Sequence, residues 1–213
     1  MPAEPFTLTV LAGVNGAGKS SVGGAYLQQA GGVFYNPDLV ARAVRAVSPT
    51  LTARQANAHA WQRGRALLEA AIANRSAFTF ETTLGGETIT ALLIEAAGYG
   101  ATFNLWYVGL ESIDLHLKRV KSRVKKGGHP IPEADIRKRW DGSRLNLVRL
   151  LPYLSNLRVY DNSAEKDPDK GQAPEPKLVL SATNRRIDFP GPGEVKDTPA
   201  WAKPIVVAAF KTF

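Results

Sequence analysis

The chain has 213 residues, 44% of them hydrophobic, with 27 Lys or Arg against 19 Asp or Glu and no cysteine. That length and apolar content suit one sizeable α/β core; the missing thiols exclude a disulfide framework and a thiolate metal site, and three scattered histidines argue against zinc chemistry. Met1-Pro2-Ala3-Glu4-Pro5 is not a basic, apolar leader and no run approaches a membrane span, so a cytoplasmic protein without membrane contact is expected.

The first predicted strand is Phe6–Ala12, and Gly13-Val14-Asn15-Gly16-Ala17-Gly18-Lys19-Ser20 follows it directly. This G-x-x-x-x-G-K-S spacing lets successive N–H groups curl around phosphate oxygens; the lysine adds a point charge at the β and γ positions, and the serine hydroxyl can coordinate Mg²⁺. Gly13, Asn15, Gly16, Ala17, Gly18, Lys19, Ser20 and Ser21 are therefore the expected ATP-binding residues, with a helix running from Ser20 to about Gln29. A short strand at 33–35 leads to Asn36-Pro37, an N-cap followed by a first-turn proline. Thr52–Gln55 reads as a capping box opening a helix to about Asn74, with Ala56, Ala60, Leu67 and Ala71 as its buried stripe.

Strand 77–81, helix 86–97 stopped by Gly98 and Gly100, and strand 102–108 come next. From Glu111 a helix turns Leu115, Val120 and Val124 inward and breaks at Gly127-Gly128-His129-Pro130, where His129 is expected at a solvent-exposed loop tip. A second helix begins near Pro132 and carries Ile136, Trp140, Leu147 and Leu151. The pair, roughly 118–149, reads as a lid. Strand 157–161 precedes a charged, Pro-rich loop to Pro176 and a late strand at 177–181, with 162–213 as an irregular extension. Strands alternating with helices predict a parallel sheet flanked by helices in one P-loop kinase domain, 1–213.

In such folds ligands lie beyond the carboxyl ends of the strands. Asp38 is the candidate base that takes the acceptor's proton, against the plainer role of an acid at a helix N-terminus. Glu81 is a candidate Mg²⁺ ligand beside Ser20, and Asn36, Thr82 and Thr83 are candidate substrate contacts. Residues 118–149 hold eleven Lys or Arg against three acids, so the entire net charge of +8 resides there. Arg119 and Arg123, four apart on one helix face, are expected to turn inward together onto the transferred phosphoryl group, and Arg139 to face the substrate.

Together Ala12–Ser20, Asn36-Pro37-Asp38, Phe80-Glu81-Thr82-Thr83-Leu84, Gly127-Gly128-His129 and Ile131–Trp140 resemble, in order, the motifs of the zeta toxin family of P-loop kinases over roughly residues 6–162. The resemblance implies transfer of the ATP γ-phosphate to the sugar 3′-hydroxyl of UDP-N-acetylglucosamine, and an antitoxin partner. It also implies that Asp38 is the base, that Lys19 and Ser20 serve phosphate and Mg²⁺, that Glu81 and Thr83 contact substrate, and that Arg119 contacts phosphate. His129 stands where related toxins carry an arginine. Another alcohol as acceptor stays open on the same base and lid. A nucleic-acid-binding ATPase or polynucleotide kinase is disfavoured because Trp140 is the only aromatic within the basic run. A GTPase is disfavoured by the lack of an Asn-Lys-x-Asp element.

Overall fold

A computed structural model of the chain describes residues 5–23, 34–128, 130–164 and 175–213. Its strands are β1 (Phe6–Ala12), β2 (Phe34–Tyr35), β3 (Phe78–Thr82), β4 (Ala101–Gly109), β5 (Asn156–Asp161), β6 (Lys177–Thr183) and β7 (Arg186–Phe189). The helices are α1 (Lys19–Val22), α2 (Pro37–Val47), α3 (Ala53–Ala73), α4 (Glu87–Gly98), α5 (Ile113–Lys125), α6 (Glu133–Leu150) and α7 (Lys203–Thr212). The strands form one sheet in the order β2-β3-β1-β4-β5-β6-β7. This is an α/β fold of P-loop kinase type.

The first five strands pair parallel, as the alternating pattern predicts, whereas β6 and β7 pair antiparallel, so the sheet is mixed. Asn184 and Arg185, both at positive φ, turn β6 tightly back into β7. Two central residues in that region make the primed turn of a two-residue hairpin, but the dipeptide lacks the glycine that usually announces one. The extension expected to be irregular is therefore corrected. Beyond β7, helix α7 buries Ile205, Val206 and Ala209 in the main core, and Trp201 lies against Gly109, where an added Cβ would come within 2.2 Å of its ring. The loop expected at 162–176 lies mostly outside the described residues, as do the helix residues after Gly23 and His129.

Strand alternation sends Leu8, Val10, Phe80, Phe103 and Leu105 to one sheet face and Leu11 and Val108 to the other. On α3 the buried stripe runs Ala56, Ala60, Leu68, Ala71 and Ile72; Leu67 is 38% exposed, a correction of one residue. Contacts four apart carry the stripe past 67, because Gly64 already fills the intervening turn against the Tyr35 ring. Leu147 and Leu150 of α6 join the main core, so the second half of that helix belongs to the body of the fold and not to a lid.

Register levels the carboxyl ends of the strands. Ala12 lies opposite both Thr82 and Tyr107, Leu11 opposite Glu81, and Tyr35 opposite Phe80. The phosphate-loop sequence, Asn36 and Glu81 thus emerge side by side at the carboxyl ends of β1, β2 and β3.

Candidate active site

Gly13 leaves β1 with φ 141°, and a Cβ there would stand 2.2 Å from the carbonyl oxygen of Val108, so only glycine fits. Gly18 takes a left-handed conformation to start α1, and its missing Cβ makes room for the side-chain amide of Asn162. That amide donates to Ala17 O at 2.8 Å.

Inside the loop Lys19 is 7% exposed. Its Nζ donates to Gly13 O at 2.8 Å and lies 3.3 Å from Glu81 Oε1. The other oxygen of Glu81 accepts from Ser20 Oγ at 3.0 Å and from Asn36 Nδ2 at 2.9 Å. One carboxylate thus gathers the lysine and hydroxyl of the G-x-x-x-x-G-K-S motif and the amide of Asn36. A buried charge needs such partners, since an unpaired one costs several kcal/mol.

Asn36 also caps α2, its Oδ1 accepting from the N–H groups of Asp38 and Leu39. The helix N-terminus is thereby satisfied by Asn36, and the Asp38 side chain is left to reach outward to Arg123 at 3.2 Å. Asp38 lines a cavity of about 230 Å³ whose walls also include Glu81, Thr82, Thr83, Trp61, Ile89 and Arg139. Thr82 Oγ1 accepts from Leu84 N at 3.0 Å, which steadies the turn after β3.

Arg119 and Arg123 diverge. Arg123 meets Asp38, while Arg119 reaches Ala164 O at 3.5 Å, beyond the end of β5. The expected joint inward face corresponds to two different sides of the site. Arg139 donates to Asn15 Oδ1 at 2.7 Å and lies 3.6 Å from Asp135, so it spans the phosphate loop and the cavity. Ser20 and Ser21 stand at the exposed start of α1.

Several supporting residues carry no motif. Ser143 Oγ donates to Thr83 O at 2.7 Å and pairs with Tyr107 OH at 3.0 Å; Asn146 Nδ2 donates to Leu84 O at 2.9 Å and Gly86 O at 3.2 Å. They hold the turn in which Leu84 takes a positive φ. Burial pushes the Tyr107 hydroxyl up to about 12, so it remains a donor. Their signal in the sequence is a polar residue at core spacing from Ile136, Leu147 and Leu150 on one helix.

His116, fully buried, bonds through Nδ1 to Asn15 O at 2.8 Å, and the edge of its ring meets Trp140. Nδ1 faces a carbonyl, so it carries the proton, while Nε2 has no partner among the described residues. Burial lowers its pKa from 6.5 to about 4; the bond to Asn15 opposes the shift, and the charges of Lys19, Arg119 and Arg144 add to it. The unfolded chain therefore takes up this proton before the folded one does. The stability involved is complete above the unfolded pKa of about 6.5, falls as pH drops toward about 4, and levels off below that. From about pH 7 to about pH 5 wild type is expected to lose about 2 kcal/mol more than His116→Asn. Urea unfolding of both proteins at the two pH values checks this; equal losses would contradict the burial effect.

No family model matches the sequence. An uncharacterized protein of Haemophilus influenzae is 31% identical over 128 residues, which are 60% of this chain and 88% of that protein. The chain belongs to the family of that Haemophilus protein. Solved structures give likeness of fold. The AvrRxo1-ORF1:AvrRxo1-ORF2 complex matches at TM-score 0.66 and 14% identity with sulphate ions, and at 0.64 and 16% with ATP. In each case 93% of this chain is covered, and it spans 65% of the length of the chain it matches. A component of the PezAT chromosomal toxin–antitoxin system of Streptococcus pneumoniae matches at TM-score 0.54 and 12% identity, covering 80% of this chain and 74% of its own.

Proposed function

We propose that the protein is an ATP-dependent phosphotransferase that moves the γ-phosphate to an acceptor hydroxyl, with the sugar 3′-hydroxyl of UDP-N-acetylglucosamine as the leading acceptor. The observation that carries this reading is the buried Lys19–Glu81 pair, joined by Ser20 and Asn36 and set beside a cavity that Asp38 also lines. The fold shared with a complex solved with ATP adds support.

The phosphate loop's N–H groups and Lys19 hold the triphosphate. Asp38 accepts the proton of the acceptor hydroxyl while that oxygen bonds to the γ-phosphorus and the bond to the ADP oxygen breaks, giving ADP and a phosphate ester. Arg119 and Arg123 answer the negative charge spread over the transferred group. Ser20 Oγ and Glu81 Oε2, hard oxygens 3.0 Å apart, suit Mg²⁺, which supplies charge neutralisation across the phosphate oxygens. The acceptor lies along Asn36, Thr82, Thr83 and Arg139.

The zeta toxin resemblance supplies the sugar nucleotide and, with the PezAT likeness, an antitoxin as protein partner in the cytoplasm. A nucleic-acid substrate fits less well, because several arginines of the basic lid are engaged by internal acids, Arg137 by Glu133 and Arg144 by Asp141 among them. The test is incubation of the pure protein with Mg·ATP and UDP-N-acetylglucosamine, followed by mass spectrometry. A phosphorylated sugar nucleotide is the expected product. ATP left intact, or only hydrolysed, would remove this acceptor.

A further inference from the structure

Beside the cavity at Asp38 lies a second one, of about 140 Å³, between α2, the start of α3 and the loop that follows α5. Its lining holds three guanidinium groups, Arg42, Arg45 and Arg123, against the single carboxylate of Asp38. Small residues, Ala41, Ala53, Gly127 and Gly128 among them, form much of the remaining wall and leave the space open.

Arg42 and Arg45 stand three apart on α2 and face the same cavity, an arrangement that like-charge repulsion disfavours. Three other exposed arginines answer an acid: Arg65 meets Glu69, Arg137 meets Glu133 and Arg149 meets Glu87. Among the described residues neither Arg42 nor Arg45 has such a partner. Two forked cations kept together with no acid of their own, where the one carboxylate of the lining is already paired with Arg123, match a tetrahedral oxyanion.

We propose that this cavity is an anion subsite that takes a phosphate of the acceptor, which makes the acceptor a phosphate-bearing alcohol. The inference rests on the phosphotransferase reading only for the word acceptor; the anion site itself stands on the arginines. Asp38 and Asn57 line both cavities, so a molecule can place its hydroxyl in one and its phosphate in the other. Arg123, 3.2 Å from Asp38, then has a second anion to meet, and the Asp38 carboxylate is released toward the hydroxyl. The subsite couples substrate charge to the readiness of the base.

The test uses R42Q/R45Q, whose changes lie on an exposed helix face and whose folding is checked by its melting temperature. Inorganic phosphate is titrated calorimetrically, at constant ionic strength, onto protein saturated with Mg²⁺ and the non-hydrolysable ATP analogue AMP-PNP, so that the phosphate loop is filled. Wild type is expected to show one saturable site, and the variant an affinity lower by about tenfold or more, the scale of a charge-assisted hydrogen bond. No saturable site in wild type, or equal affinity in the variant, overturns the proposal. Failure of AMP-PNP to bind would instead count against the phosphotransferase reading; the comparison of the two proteins is then made without nucleotide and decides the subsite in the same way. With an acceptor that turns over, the variant raises the acceptor KM about tenfold and leaves the ATP KM unchanged. A kcat loss without that KM change contradicts a subsite for substrate.

Discussion

Lys19→Met is expected to lower phosphoryl transfer by at least about a hundredfold, the scale for removing one preorganised charge stabiliser from a reaction centre. The same change should destabilise the fold, because Glu81, 8% exposed, would be left without the cation that answers it. Breaking a buried pair from one side costs about 3–5 kcal/mol, against much less when both partners go. The double variant Lys19→Met/Glu81→Gln separates the two effects: the glutamine side chain keeps an oxygen for Ser20 and Asn36 but carries no charge. Its urea midpoint should recover most of the loss while transfer stays absent. Transfer restored along with stability would mean that Lys19 shapes the loop without serving the phosphate.

The phosphate loop was legible because its residues are contiguous and each position answers a local demand, as the 2.2 Å approach of a Gly13 Cβ to Val108 O illustrates. Capping signals were equally local: Asn36 and the Thr52–Gln55 box both make the bonds their residue types predict. Strand direction in the last third was not legible. Nothing in the β6 residues distinguishes parallel from antiparallel pairing, and the turn at Asn184-Arg185 achieves positive φ without glycine. The Leu67 error has a similar origin, since a stripe of small alanines sets helix phase only to within a residue.

At the site, sequence supplied the parts and register supplied the assembly. Glu81 and Asn36 are 45 positions apart, and pairing of Tyr35 with Phe80 brings them to 2.9 Å. Arg119 and Arg123 share a helix face, yet what each one meets depends on α2 on one side and the end of β5 on the other. Asn162, His116, Ser143 and Asn146 act on backbone carbonyls, which have no sequence identity to search for. Only their burial in apolar company set them apart.

Asp38→Asn is expected to reduce transfer by about a hundredfold or more, the usual scale for a general base, while ATP affinity holds within about twofold. The two effects separate because the Asp38 side chain has no part in the helix cap, which Asn36 provides, and none in the Lys19–Glu81 cluster. Among the described residues its one ionic contact is Arg123, with both side chains 38% exposed, and a pair that open to solvent contributes at most about 1 kcal/mol. The variant should therefore melt close to wild type, so a large fall in transfer could not be charged to unfolding. Transfer and nucleotide binding are measured on the same preparation, the first by phosphate incorporation into the acceptor and the second by calorimetry with AMP-PNP. ATP affinity collapsing in step with the rate would move Asp38 into the nucleotide site. Arg123→Gln is expected to lower transfer and the slow hydrolysis of ATP by water together, as loss of an arginine that answers the transferred charge requires; a raised acceptor KM with hydrolysis unchanged or faster would instead confine Arg123 to holding Asp38 until substrate arrives.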